Sequence, residues 1–278
     1  MILSVSNIAW APEERLDAYR IMEAAGITGL EIAPGLFFPN APDPFAPDDA
    51  AVTAALTEIK AYGLSLVSMQ SLLFGVSGAA LFGDGAARTA FIQGMSRAID
   101  MAGRFGIPNL VFGSPMQRRI PEDMGHKEAF QHAVEVFHRL AERAVSAGTV
   151  ISVETNPSAY GTNFLTTLDE TIDFIAQVAH PAVALILDLG AMHMNAGFCT
   201  VAARIHKLVP ILNHVHISEP WLAPAPADAA SLAPVLSELK SAHYDKALSV
   251  EMKRNDGGLE TLQKHIRILK QAMEVNPT

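Results

Sequence analysis

Thr149-Val150-Ile151-Ser152-Val153-Glu154-Thr155-Asn156 is a short apolar run that ends in a carboxylate, and a helix-period stretch at 126–146 and Gly148 precede it. The run reads as a parallel strand buried on both faces, because such strands lack strict alternation. The amphipathic stretch before it, with a glycine just past its end, reads as a helix. The chain repeats this unit of helix, glycine and apolar strand. Runs of the same kind occupy 2–8, 29–33, 65–70, 109–112, 149–154, 183–188, 214–217 and 248–251. Glycine or proline precedes several of them, at Gly26, Gly63, Gly106-Ile107-Pro108, Gly148 and Pro181. Ala11-Pro12-Glu13-Glu14 opens the first helical segment with proline and acids in its first turn.

Eight strand–helix units in 278 residues fit an α/β fold with a single (β/α)8 TIM barrel spanning 1–278, for which about 250 residues are usual. Closure of the sheet also accounts for the lack of a polar edge strand. Asn7-Ile8-Ala9-Trp10 follows the first run where a dinucleotide-binding fold would carry a glycine-rich turn. Half of the residues are apolar, yet no run approaches the ~20 residues of a membrane span. The amino-terminal run has no basic region ahead of it and reads as a first strand, not a signal peptide. A lone Cys199 is consistent with a reducing compartment, and the expected location is cytoplasmic. The net charge of −9 argues against nucleic acid as a partner.

In such barrels the reactive groups stand at the carboxyl ends of the strands. Strands five to eight end in Glu154, Asp188, His216 and Glu251. Taken singly, each acid could be a structural hydrogen-bond partner and His216 a core histidine. Together, three carboxylates converging in a partly dry pocket repel one another unless a cation sits among them. Three oxygen donors and one imidazole suit one divalent ion: Mn²⁺ as the leading candidate, then Mg²⁺, Co²⁺ or Zn²⁺. His214 shares a strand face with His216 and can fill an inner layer instead of binding metal.

These residues also carry a family likeness. Through Val153-Glu154, Leu187-Asp188-Leu189-Gly190, His214-Val215-His216-Ile217-Ser218-Glu219 and Ser249-Val250-Glu251, the chain resembles the sugar phosphate isomerase/epimerase superfamily. These are the xylose isomerase-like barrels that include tagatose and psicose 3-epimerases and apurinic-site endonucleases. The resemblance implies metal binding by Glu154, Asp188, His216 and Glu251, with Glu154 and Glu251 also moving the proton between two faces of the substrate. Ala191 stands where the ketose epimerases carry a histidine, and Leu222 where they carry an arginine. The chain is therefore expected to be distant from that group.

Other residues near the strand ends are candidates for substrate contacts. Glu31 and Gln70 end the second and third runs and are placed to bond sugar hydroxyls. Arg118, after the Phe112-Gly113-Ser114-Pro115 turn, is a candidate for an anionic group. Asn156 can touch substrate or orient Glu154, and His193, Glu219 and Lys253 lie beside expected ligands. Lys253 is expected on the strand face of Glu251.

The expected activity is a metal-dependent isomerase or epimerase of a sugar, keto-sugar or sugar phosphate, working through an enediolate in carbohydrate metabolism. The alternatives are a metal-dependent dehydratase of a keto-polyol or dehydroshikimate-like acid, and a non-catalytic sugar-binding barrel. The expected partner is a small carbohydrate, with no membrane, and the sequence leaves room for a homodimer or homotetramer.

Overall fold

Acidic and hydroxyl caps fix where the helices begin. Asp48, Asp84, Thr167 and Asp228 each accept a backbone N–H from the residue three positions on. The computed structural model describes residues 1–275; 276–278, the end of the expected 1–278 domain, lie outside the described residues. In chain order the strands are β1 Ile2–Ser6, β2 Gly29–Ile32, β3 Ser65–Met69, β4 Asn109–Phe112, β5 Val150–Glu154, β6 Val183–Asp188, β7 Leu212–Ser218 and β8 Ala247–Glu251. The helices are α1 Arg15–Ala24, α2 Pro34–Phe37, α3 Asp49–Ala61, α4 Gly85–Phe105, α5 His126–Ala147, α6 Leu168–Val178, α7 Leu189–Met194, α8 Phe198–Leu208, α9 Ala229–Ser241 and α10 Gly258–Glu274. The strands follow one another, β1 to β8, in a closed parallel barrel, the (β/α)8 architecture that the repeat predicts. Gly106 and Gly148 end α4 and α5 in the left-handed region, at φ of 66° and 70°. No helix among the described residues is long and apolar enough to cross a membrane.

The chain divides into two compact units, residues 1–67 with 187 onward, and residues 68–186. In the first, β1 pairs with β2 (Ser4 opposite Gly29, Ser6 opposite Glu31) and with β8 (Ser4 opposite Ser249). β8 in turn pairs with β7, His216 opposite Ser249 and Ser218 opposite Glu251. Here the strands do alternate, contrary to the expectation of unpatterned runs. Leu3, Val5, Leu30, Ile32, Val215, Ile217, Leu248 and Val250 form one buried set. Between them, Ser4, Ser6, Glu31, His214, His216, Ser249 and Glu251 form a second set, polar and just as buried. A polar barrel interior is the physical reason: both faces are dry, and only one is apolar.

In the second unit β4 is flanked by β3 and β5, and β5 by β6. Asn109 bridges Ser68 and Ser152 by side-chain hydrogen bonds. Phe112 sits edge-on between Phe91 of α4 and Phe137 of α5, and Phe137 continues to Phe174 of α6. These edge-to-face contacts seat the helices on the strands.

Gly29 is required by close approach. A Cβ there would lie 2.8 Å from the Ser4 Cβ and 3.0 Å from the Leu3 carbonyl oxygen. Gly29→Ala should therefore destabilise the protein by about 1–3 kcal/mol through overpacking, measurable by urea denaturation; unchanged stability would show that β1 and β2 can part at no cost.

Candidate metal centre

Asp188 is at once the last residue of β6 and the N-cap of α7. No loop separates strand from helix, and the sequence does not announce that short helix. The Asp188 Oδ1 accepts from the Ala191 N–H at 2.5 Å, and Oδ2 accepts from the Ser218 hydroxyl at 2.8 Å. Ser218 in turn accepts from the Gly190 N–H at 2.9 Å. Gly190 has no room for a side chain, because a Cβ would lie 2.8 Å from the Glu219 carbonyl. Strand β7 thus clamps the first turn of α7, and Asp188 is held on both oxygens.

His216 is fully buried, and its two ring nitrogens face different groups. Nε2 lies 3.0 and 3.1 Å from the two carboxylate oxygens of Glu31. Nδ1 lies 3.1 Å from Glu251 Oε2 and 3.6 Å from Asp188 Oδ2. Glu31 stands on β2 and His216 on β7. With β1 and β8 between those strands, the contact runs through the barrel interior. His214 packs edge-on against His216, with Nε2 2.9 Å from the Ser249 hydroxyl and 3.3 Å from Glu31.

Burial alone would raise the Glu31 pKa, but the charges and hydrogen bonds of His216 and His214 outweigh it and hold the carboxyl well below its ordinary range. An ionised Glu31 accepts only, so the Nε2 of His216 carries the proton. Nδ1 faces two carboxylates. Acceptors opposed at 3.1 Å need a positive charge between them, either a second ring proton or a cation. The ligating atoms of Asp188, His216 and Glu251 lie within 4.8 Å of one another, which suits bonds of about 2.0–2.6 Å to one ion. The donor set therefore fits a divalent metal. The carboxylate behind the histidine is the usual outer partner of a ligating imidazole.

Glu154 ends β5, and Asn156 donates to its Oε2 at 2.6 Å. A Cβ at Gly113 would lie 2.5 Å from that same oxygen, so the carboxylate rests against bare backbone. Asn156 thus orients Glu154, one of the two roles open to it from the sequence.

The other candidates fall in varied settings. Glu31 has no exposed surface and is turned to His216, not offered to a sugar hydroxyl. Arg118 is also fully buried, its Nη1 donating to the Glu154 main-chain oxygen at 2.8 Å. Burial pulls its pKa down to about 10, with the charges of Glu154 and Glu170 acting the other way, so it stays cationic at neutral pH. Gln70 is buried one residue beyond β3. His193 stacks on Phe198 at 3.7 Å and lies 3.9 Å from Glu219, whose other oxygen accepts from the Ala227 N–H. Lys253 corrects one expectation: β8 stops at Glu251, and Lys253 is exposed beyond it, so strand alternation does not carry it onto the Glu251 face. Ser218, Gly113 and Gly190 stand in stretches quoted from the sequence but are not among the expected site residues. Only Ser218 left a signal, two residues after His216 on the same strand face.

The sequence profile of the xylose isomerase-like TIM barrel family matches residues 19–272. The chain belongs to that family. Among solved structures, this xylose isomerase-like barrel is similar to the apo 3-keto-D-glucoside 4-epimerase of E. coli. That match has a TM-score of 0.75 and 18% identity over 97% of this chain and 99% of the other. It is also similar to D-psicose 3-epimerase from Clostridium cellulolyticum H10, crystallised with D-tagatose. Here the TM-score is 0.74 and identity 17%, over 96% and 90% of the two chains. A probable 3-DHS dehydratase of petrobactin synthesis from Bacillus anthracis matches at a TM-score of 0.71 and 15% identity, over 97% and 99%. At these identities the likeness shows a shared fold. A search of curated proteins finds no significant match.

Because the Glu31 carboxyl lies below its ordinary 4.5, its contribution to stability is full above that value and is lost as pH falls towards the folded pKa. Glu31→Gln should flatten the acid limb of the stability–pH curve below about 4.5. Parallel curves for the two proteins in denaturant titrations would show that Glu31 is not held as a buried anion.

Proposed function

We propose that residues 1–278 act as a single cytoplasmic domain, a divalent-metal-dependent isomerase or epimerase of a sugar, keto-sugar or sugar phosphate. The observation that carries this reading is the two-sided setting of His216, with Nε2 against Glu31 and Nδ1 against Asp188 and Glu251. Glu154 is the fourth ligand in this reading. Its support is register: Glu154 pairs with Ile186 on β6, and Asp188 follows two residues later on the same strand face. The ion would be held by Glu154, Asp188, His216 and Glu251, with Mn²⁺ preferred for a set rich in oxygen donors. When bound, such an ion supplies Lewis-acid polarisation of a carbonyl and charge stabilisation of an enediolate.

The rest of the work belongs to side chains. One of Glu154 and Glu251 takes the proton from the carbon beside the substrate carbonyl, and the other returns a proton to the opposite face. Asn156 and the bare backbone of Gly113 keep Glu154 from turning away, so its orientation is set before substrate arrives. The polar wall of Ser218, His193 and Glu219 offers hydroxyl-binding groups on the β6–β7 side.

Dehydration is the second reading. It needs one further acid to assist loss of a β-hydroxyl, and the His193–Glu219 pair, 3.9 Å apart, supplies a candidate. The neighbour described as a probable dehydratase shares this fold, which supports keeping this reading.

A panel of keto-sugars and polyols in heavy water distinguishes these readings. Deuterium uptake without loss of water supports epimerase or isomerase chemistry, and water loss supports the dehydratase. Glu154→Gln should cut proton exchange by about 10²–10⁴-fold; unchanged exchange in that variant would remove Glu154 from the acid–base role. Gly113→Ala should lower kcat by roughly 10²-fold by displacing the carboxylate, with the melting temperature nearly retained. An alanine variant as active as the parent would mean that the Glu154 orientation is not critical.

A further inference from the structure

Arg118 is the largest fully buried side chain among the described residues. It follows the exposed Met116 at the end of a short 3₁₀ turn, Met116–Arg118, between β4 and α5. A buried guanidinium usually has several acceptors around its five N–H groups. Here Nη1 donates to the main-chain oxygen of Glu154, and Nε and Nη2 are buried without a hydrogen-bond partner among the described residues. The Phe112 ring centroid lies 5.7 Å from the guanidinium carbon, near enough for the ring face to share in holding the cation. Among the described residues no carboxylate closes on the fork, so an ordinary buried salt bridge does not account for it.

Two loops meet at this point. The Ile120 backbone is paired both ways with the Asn163 side chain, at 2.7 and 3.0 Å, and Arg119 reaches the Gly161 carbonyl. These bonds already fasten the β4 loop to the β5 loop. Arg118 alone reaches past them to the end of β5, to the residue whose carboxylate also touches Gly113 and Asn156. With no exposed surface, it has no atom to give to a substrate.

We propose that Arg118 is a positioning residue for Glu154, its guanidinium fixing the last carbonyl of β5 so that the Glu154 carboxylate is presented for metal binding. This rests on the reading of Glu154 as a ligand. An apolar replacement of a dry, poorly satisfied cation tends to be neutral or favourable for folding. Loss of a residue that positions a ligand weakens metal binding. The two effects therefore separate a positioning role from a structural one.

The test is Mn²⁺ titration calorimetry on the full chain, with melting temperatures, for the parent, R118M, R118K, N163A and E154Q. R118M is expected to melt at or above the parent temperature yet bind Mn²⁺ about tenfold more weakly. N163A loosens the same loops without touching Glu154, and should melt lower while binding Mn²⁺ within about twofold of the parent. If R118M binds Mn²⁺ like the parent while E154Q does not, Arg118 is not a positioning residue and the ligand reading stands. If E154Q also binds like the parent, that reading fails and the proposal falls with it. Equal weakening in N163A and R118M would assign the effect to the loops and overturn the proposal. Should R118M fail to fold, R118K decides. Its strongly hydrated ammonium suits a dry site poorly, so affinity at least about threefold below the parent is expected, and parent-like affinity overturns the proposal.

Discussion

Glu31 places a full negative charge in a space without water, and the hydrogen bonds it takes from His216 and His214 are what make that tenable. Much of the site follows from this one interaction. The contact with Glu31 fixes the ring of His216 at Nε2, so that Nδ1 faces Glu251 and Asp188. Asp188 cannot turn away, because Ala191 and Ser218 occupy its oxygens. The acids and the imidazole are held in an arrangement that favours a cation over any rearrangement of their own. Preorganisation of this kind raises metal affinity, since little freedom is left to lose when the ion arrives.

Small residues make the arrangement sterically possible. Ser4, Ser249 and Gly29 lie in register with His216 across four adjacent strands. Each leaves interior volume that two imidazoles and a carboxylate then fill. On the opposite strand faces, Leu3, Val5, Leu30, Val215 and Leu248 are fully or nearly fully buried and supply the hydrophobic stabilisation that the polar interior cannot. Strand alternation thus separates two tasks along one backbone: packing outward against helices, and charge placement inward.

The repeat of apolar runs and glycine caps was legible in the sequence because both are local. Gly148 and Gly106 end helices where a left-handed residue is needed, and a carboxylate or histidine ends each of the last four strands whatever lies opposite. Partners across the barrel were not legible. Glu31 looked like a free strand-end acid, since nothing in the chain ties position 31 to position 216. Arg118 reads from sequence as a candidate for an anionic group, because burial of a guanidinium depends on where Phe112 and the end of β5 lie. Strand periodicity alone places Lys253 on the Glu251 face, and it fails there because β8 stops at Glu251. The interior polarity was overlooked for a related reason: a serine or histidine in an apolar run counts as a break in hydrophobicity, although on one face of a barrel it is the pattern.

The two positions where this chain departs from the ketose epimerases bear on what it can hold. Ala191 is fully buried and its N–H is spent on Asp188, so it holds that carboxylate through its backbone. Leu222 sits at φ 57°, next to Trp221 at 62°, with its carbonyl accepting from the Lys253 N–H. Consecutive left-handed residues other than glycine carry a conformational cost, and the Glu219 side chain bonded to Ala227 braces the loop that bears it. Neither position can lend a cationic or imidazole side chain to a sugar. The polar side chains beside these positions are Ser218, His193 and Glu219, the last two 3.9 Å apart.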